Sequence, residues 1–209
     1  MAVANRIKVS PAYNSFIKEI NRLESFDLSN QKKYANKELT KAQIELLVES
    51  IFFAGFRRYE GFIREIFLLY CMEKQPLRKP KVKSFLKAKS FHHSEQLIKS
   101  SMPFLDWTSP DTVIERAELY LDNGHPIKLP YTTNLQPLRE FKKLRNHIAH
   151  NSAESQIEYE KVVRIYFGVV PLKIPNTGQY LMLSSRRNPA NYNLMDFFDL
   201  MKSISLQLT

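Results

Sequence analysis

One cysteine and five glycines in 209 residues remove several chemistries at the outset. A single Cys71 makes no internal disulfide and no paired-cysteine zinc site, so its expected use is that of a small core thiol on a buried helix. That suits a reducing cytoplasm. So few glycines leave no glycine-rich phosphate loop, and no HExxH pattern occurs, so neither a cofactor nor a metal is expected. The longest purely apolar run, Ile66 to Met72, is far shorter than the roughly 20 residues that span a bilayer. The amino terminus lacks the basic, apolar, small-residue order of a signal peptide, and no membrane partner is expected. Internal repeats and low-complexity tracts are absent, and no acidic cluster is spaced for two metal ions. Adjacent His92 and His93 point apart on any regular element, and His125, between Gly124 and Pro126, reads as a loop residue.

What is present is an ordinary globular composition, 44% hydrophobic and 12% aromatic, enough for one core and one domain over 1–209. Ser10-Pro11 is a helix start, and Tyr13, Phe16, Ile17, Ile20 and Leu23 give a first helix from about Pro11 to Phe26, preceded by an arm at 1–10. After a polar stretch to Leu39, Thr40 and Gln43 form a capping box. It opens the longest periodic segment, with Ile44, Leu47, Val48, Ile51, Phe52, Tyr59, Phe62, Ile63, Ile66, Phe67 and Tyr70 at helical spacing to about Lys74. Gly55 inside it costs about 1 kcal/mol relative to alanine and marks a close helix crossing. A short helix is expected at Ser94 to Ser101, another from Ser109-Pro110 to a glycine stop at Gly124, a fourth long one from Asn134 to Asn151, and a last carrying Leu194, Phe197, Phe198, Met201, Ile204 and Leu208. Between 160 and 185 the β-branched run Val162 to Ile174 and the turn-like Asn176-Thr177-Gly178 point to a small hairpin. The fold class is therefore all-α, an antiparallel bundle of about five helices with room for that hairpin.

The net charge of +10 is uneven. From Lys74 to Lys99 eight positive residues stand against one acid, Glu95, so seven of the ten excess charges fall in the segment 75–100 and its flank. Such a run is either solvated surface or an arm that tracks phosphates, each lysine at a phosphate releasing condensed counterions. On the second reading Lys79, Lys81, Lys83 and Lys87 bind RNA. Phe85 and Phe91 are interleaved with them; both are expected to anchor the core before they stack bases.

The most specific feature is Arg145-Asn146-His147-Ile148-Ala149-His150. Leu135, Leu138, Phe141, Leu144 and Ile148 precede or interleave it at three- and four-residue steps, which puts it on a helix with one buried side. At about 100° per residue Asn146 and His150 lie about 40° apart, whereas Arg145 stands about 140° from His150 and reaches the same point only through its long side chain. An arginine five to seven residues before a histidine is common by chance; an asparagine directly after the arginine, the histidine fixed at five and the helical setting make it rarer. The bland account is an arginine paired with a carboxylate and two solvated polar residues near a helix end. The chemical account is metal-independent cleavage of RNA, whose 2′-hydroxyl is its own nucleophile. Histidine as a residue type, with an unperturbed pKa of about 6.5, moves protons near neutral pH. Arginine stays charged and binds two phosphate oxygens at once. Asparagine holds either without adding charge.

RNHIAH on a late helix of a helical bundle resembles the R-N-x-x-x-H signature of the HEPN superfamily, and FRRYEGFIREIFLLY (56–70) resembles its long second helix, with Tyr59, Glu60 and Phe62 as an aromatic-Glu-x-aromatic pattern. The resemblance covers about a quarter of the chain in motif. It implies a HEPN-like helical domain and a metal-independent endoribonuclease of toxin-antitoxin or antiphage defence systems, with Arg145, Asn146 and His150 catalytic and His147 and Glu60 supporting. It also implies a homodimer whose motif helices meet across a cleft, supplying the second proton-transfer group that one chain lacks, and an antitoxin or defence-system partner protein. Two other accounts fit the same residues: an inactive relative that binds nucleotides, nucleic acid or a partner, and a structural subunit.

Overall fold

Apolar spacing of three and four becomes long helices over most of the chain. The computed structural model describes residues 8–77, 80–86, 88–100 and 105–209; among them lie nine α-helices and no named strand. They are α1 (Val9–Ala35), α2 (Lys41–Cys71), α3 (Phe91–Lys99), α4 (Pro110–Tyr120), α5 (Lys128–Thr133), α6 (Leu135–His150), α7 (Ala153–Phe167), α8 (Thr177–Met182) and α9 (Asn193–Leu208). The all-α expectation holds. Among the described residues no helix is long and apolar enough to cross a membrane.

The chain divides into two compact units. One holds residues up to Ile17, Tyr59–Leu138 and Ser203–Thr209; the other holds Lys18–Arg58 and Arg139–Lys202. In the first, the end of α2 is buried on every side from Ile66 to Cys71, as a helix apolar all round must be. Phe16 stacks on Phe62 at 4.6 Å, Phe67 packs on Trp107 at 5.1 Å, and the Arg116 guanidinium lies 4.9 Å over that indole. Each such ring, once buried, contributes about 1.5–3 kcal/mol. Cys71 is the expected core thiol: burial pushes it up to about 12, which leaves it unreactive.

In the second unit, Phe52, Phe141 and Phe197 meet at 4.7 to 6.1 Å. Gly55 marks the expected close crossing, since a Cβ there would sit 3.0 Å from the Phe197 ring and 3.2 Å from that of Phe198. The Thr40–Gln43 capping box forms, Thr40 N donating to Gln43 Oε1 at 2.8 Å and Gln43 N to Thr40 Oγ1 at 3.3 Å. From the same start of α2, Glu45 and Glu49 reach the first turn of α8. Asn176 Nδ2 and Gln179 Nε2 donate to Glu45 at 2.8 and 3.0 Å, and Gly178 N donates to Glu49 at 2.9 Å. Carboxylates at a helix amino terminus satisfy its orphan N–H groups. Only glycine fits at 178, where a Cβ would meet Glu45 O at 2.5 Å.

Three expectations are corrected. The hairpin at 160–185 is not formed: α7 runs through Phe167 and α8 spans Thr177–Met182, leaving an isolated bridge between Ser184 and Tyr192. Ser152 and Ser155 form a capping box that starts α7, and Tyr159, Val162 and Val163 are buried at helical steps. Burial on one face overrides the β preference of branched side chains. Asn176, read as a turn, is the α8 N-cap, with Gln179 completing a second capping box. Helix α1 extends nine residues past Phe26, and the apolar stripe does not mark this stretch because its inward positions are polar. Asp27 and Asn30 are buried, and Asp27 accepts hydrogen bonds from the Tyr192 hydroxyl and from Gln31 Nε2. Burial raises the Asp27 carboxyl above its ordinary range, partly offset by these two donors.

Smaller shifts occur at helix ends. Buried Val9 starts α1 before Ser10, and residues 1–7 of the expected arm lie outside the described residues. Helix α4 stops at Tyr120, and Gly124, with φ 68°, closes the 3-10 turn that follows at Asp122–Gly124.

Candidate functional site

Helix α6 carries the motif on its last two turns. Leu138, Phe141 and Leu144 are buried, while Leu135 and Ile148 are only half-buried, so the apolar stripe loosens at both ends. The helix ends at His150. Asn151 follows in a left-handed conformation with φ 44°, its N–H bonded to His147 O at 2.9 Å, one of the few non-glycine residues that tolerate that stop.

Arg145 is half-buried, with its guanidinium 5.7 Å from the centre of the Phe53 ring on α2. Nη1 donates to Asn146 Oδ1 at 3.2 Å. Thus the aromatic face carries the guanidinium, and Asn146 holds one edge of the fork. With Oδ1 taken by the arginine, the amide N–H2 is the end Asn146 offers elsewhere. His150 is exposed on the final residue of the helix. Arg145 and Asn146 are therefore brought together, and His150 stands one turn beyond Asn146, as the helical spacing predicts.

His147, expected only as a supporting polar residue, is the most tightly held of the four. Its ring stacks on Tyr159 of α7 at 4.9 Å and 5°, and Nδ1 lies 3.3 Å from Ser155 Oγ. Ser155 Oγ donates its own proton to Ser152 O at 2.8 Å, so His147 Nδ1 is the donor of that bond and Nε2 carries the lone pair. Burial lowers the pKa of His147 from 6.5, and the Glu49 and Glu160 carboxylates partly offset this. The side chain pins α6 to the cap of α7.

Removing this pin has a signed pH dependence. In the unfolded chain His147 binds its proton near 6.5, above its lowered folded value. Between the two the unfolded state holds more protons, and wild-type stability falls as pH drops. His147→Gln lacks this loss. At neutral pH it should cost about 1–2 kcal/mol, for a ring stack and one hydrogen bond, and the gap to wild type should narrow in acid. Melting temperatures of both chains from pH 7.5 to 5 check this; a gap that widens in acid would show that His147 is not held neutral.

The remaining residues named from sequence lie elsewhere. Glu60 is half-buried on α2 in the first unit, between buried Tyr59 and Phe62. Lys81 and Lys83, also in the first unit, are exposed, and Lys79 and Lys87 fall outside the described residues. Phe91 is half-buried with Arg64 5.7 Å from its ring centre, but Phe85 is 64% exposed, against the core anchoring expected of it. Sequence spacing did not single out Phe53, Ser155 or Tyr159. Phe53 had one signal, an aromatic on α2 off the buried stripe. Among the described residues no group of three or more His, Cys, Asp or Glu is placed to hold a metal ion. Comparison of the chain with protein-family models, with curated proteins and with solved structures finds no match.

Proposed function

We propose that the chain is a metal-independent endoribonuclease of the HEPN type, acting in the cytoplasm as a toxin or antiphage defence effector, with an antitoxin or defence-system protein as its partner. One observation supports this above the others. Arg145 is held half-buried on Phe53 and Asn146, and Asn146 stands one helical turn from an exposed His150. The ring and the neutral amide steady a permanently charged fork, and the same helix ends in an exposed imidazole; a fixed positive charge and a histidine are the two groups that a phosphoryl transfer without metal requires.

In the proposed reaction the RNA 2′-hydroxyl attacks the adjacent phosphorus. A histidine takes the hydroxyl proton as the O2′–P bond forms, and Arg145 binds the non-bridging oxygens as they gain charge. The P–O5′ bond then breaks, and a second proton donor protonates the leaving 5′-oxygen. His147 is committed to Ser155 through Nδ1 and stacked on Tyr159, so its part is to position the helix end. The second donor is His150 of a second copy, in a two-fold dimer whose α6 helices face each other. Light scattering checks the dimer: a fully active monomer at working concentration would refute it. Incubation of the purified chain with total RNA in EDTA tests the activity, and intact RNA would favour a binding module.

A further inference from the structure

The segment 80–86 pairs with the end of α4 and the turn after it, and bends at Phe85 and Leu86. Phe85 N donates to Tyr120 O at 3.0 Å, Asp122 N donates to Lys83 O at 3.0 Å, and Ser84 pairs with Leu121 in an antiparallel bridge. Glu73 takes the Ser84 N–H at 3.0 Å, and the His125 ring nitrogen meets Pro80 O at 3.3 Å. From Lys81 to Leu86 exposure alternates: Lys81, Lys83 and Phe85 are exposed, Val82 is buried, and Ser84 and Leu86 are half-buried. Successive residues on one face of a strand are about 6.8 Å apart, close to the phosphate spacing of an extended single strand. Beside it lies a shallow, mainly apolar recess of about 230 Å³ lined by Asn123, His125, Leu129 and Thr132 among others.

We infer that this face is a docking platform for single-stranded RNA, with the Phe85 ring stacking on a base and Lys81 and Lys83 holding the flanking phosphates. Charge complementarity selects the occupant, for the face belongs to the segment that carries most of the chain's excess positive charge. A ring exposed to 64% on a backbone held by hydrogen bonds loses little freedom when a base covers it. The neighbouring recess offers an apolar floor and the polar edges of Asn123, His125 and Thr132, which suit a nucleobase and would be wasted on acyl chains. The choice of RNA over DNA rests on the ribonuclease reading; the affinity for a single strand does not.

The test uses a short 2′-O-methyl single strand, which cannot be cleaved through its 2′-oxygen, with binding followed by anisotropy across a salt series. Phe85→Ala should weaken binding roughly tenfold without changing the slope of log affinity against log salt, because stacking releases no counterions. Lys81→Gln with Lys83→Gln should flatten that slope by about 0.7 for each phosphate no longer neutralised. In Phe85→Trp the new indole should be quenched by the oligonucleotide and not by heparin or by phosphatidylserine vesicles. Trp107, the other tryptophan, is 4% exposed and gives a steady background. Unchanged affinity in Phe85→Ala, or quenching by the vesicles or heparin, would overturn the platform. Oligonucleotide binding with no cleavage of natural RNA would support this face and count against the ribonuclease reading alone.

Discussion

His150→Ala should cut RNA cleavage at least about a hundredfold and leave the melting temperature almost unchanged. The first half follows from the loss of a proton-transfer group, which contributes about 10²–10⁴ in rate. The second follows from exposure, since His150 ends its helix in solvent and surface substitutions usually stay within about 0.5 kcal/mol. Arg145→Ala should be at least as severe in rate and mildly destabilising, because the cation–ring interaction with Phe53 that it removes is worth about 0.5–1 kcal/mol. A hundredfold loss corresponds to about 2.7 kcal/mol of transition-state energy, more than that interaction supplies, so weakened packing alone cannot account for it. Arg145→Lys separates charge from geometry: it keeps the cation and loses the fork, and it should recover little. Initial rates on a labelled RNA, beside melting curves of the same preparations, check all three. Wild-type rates in both alanine variants would remove the site assignment.

Why these residues were legible from sequence, and others were not, is a matter of range. Helix α6 was placed within a residue because Leu138, Phe141 and Leu144 repeat at the helical period and are buried. Capping chemistry located α2 in the same way, Thr40 and Gln43 being three residues apart. Such signals are local. The far end of α1 is invisible because its inward positions Asp27 and Asn30 are polar, Asp27 being held by a hydroxyl 165 residues away, which erases the apolar stripe. The end of α7 falls within the span expected as a small hairpin because Val162 and Val163 favour extended backbone, and only burial beside Tyr159 decides against it. Within the site, Arg145, Asn146 and His150 came from spacing on one helix. What holds them came from other elements: Phe53 from α2, Ser155 and Tyr159 from α7. Nothing in the interval between 53 and 145 announces that pairing. Phe85 fails for the opposite reason, since an aromatic in a basic run is ordinarily core and its exposure is set by the hydrogen bonds that pin its segment.

The ends left on the cut RNA test the proposed mechanism more directly than any variant. Attack by the 2′-hydroxyl forms the O2′–P bond and breaks P–O5′, so the products must carry a 2′,3′-cyclic phosphate, or the 3′-phosphate opened from it, and a free 5′-hydroxyl. A two-metal nuclease activates water and usually leaves a 5′-phosphate. The two outcomes are separated by end-labelling: a kinase labels the 5′-hydroxyl product directly, whereas a 5′-phosphate must first be removed. A single 2′-deoxy sugar at the cut site removes the nucleophile and should abolish cleavage there while neighbouring sites remain open, and DNA should be untouched. EDTA should leave the rate unchanged, because the positive charge at the phosphorane is supplied by Arg145 and the proton steps by histidine. If the fragments bear 5′-phosphates, or cutting stops with EDTA, the transesterification fails even with Arg145 and His150 essential, and those residues must then serve a different hydrolysis.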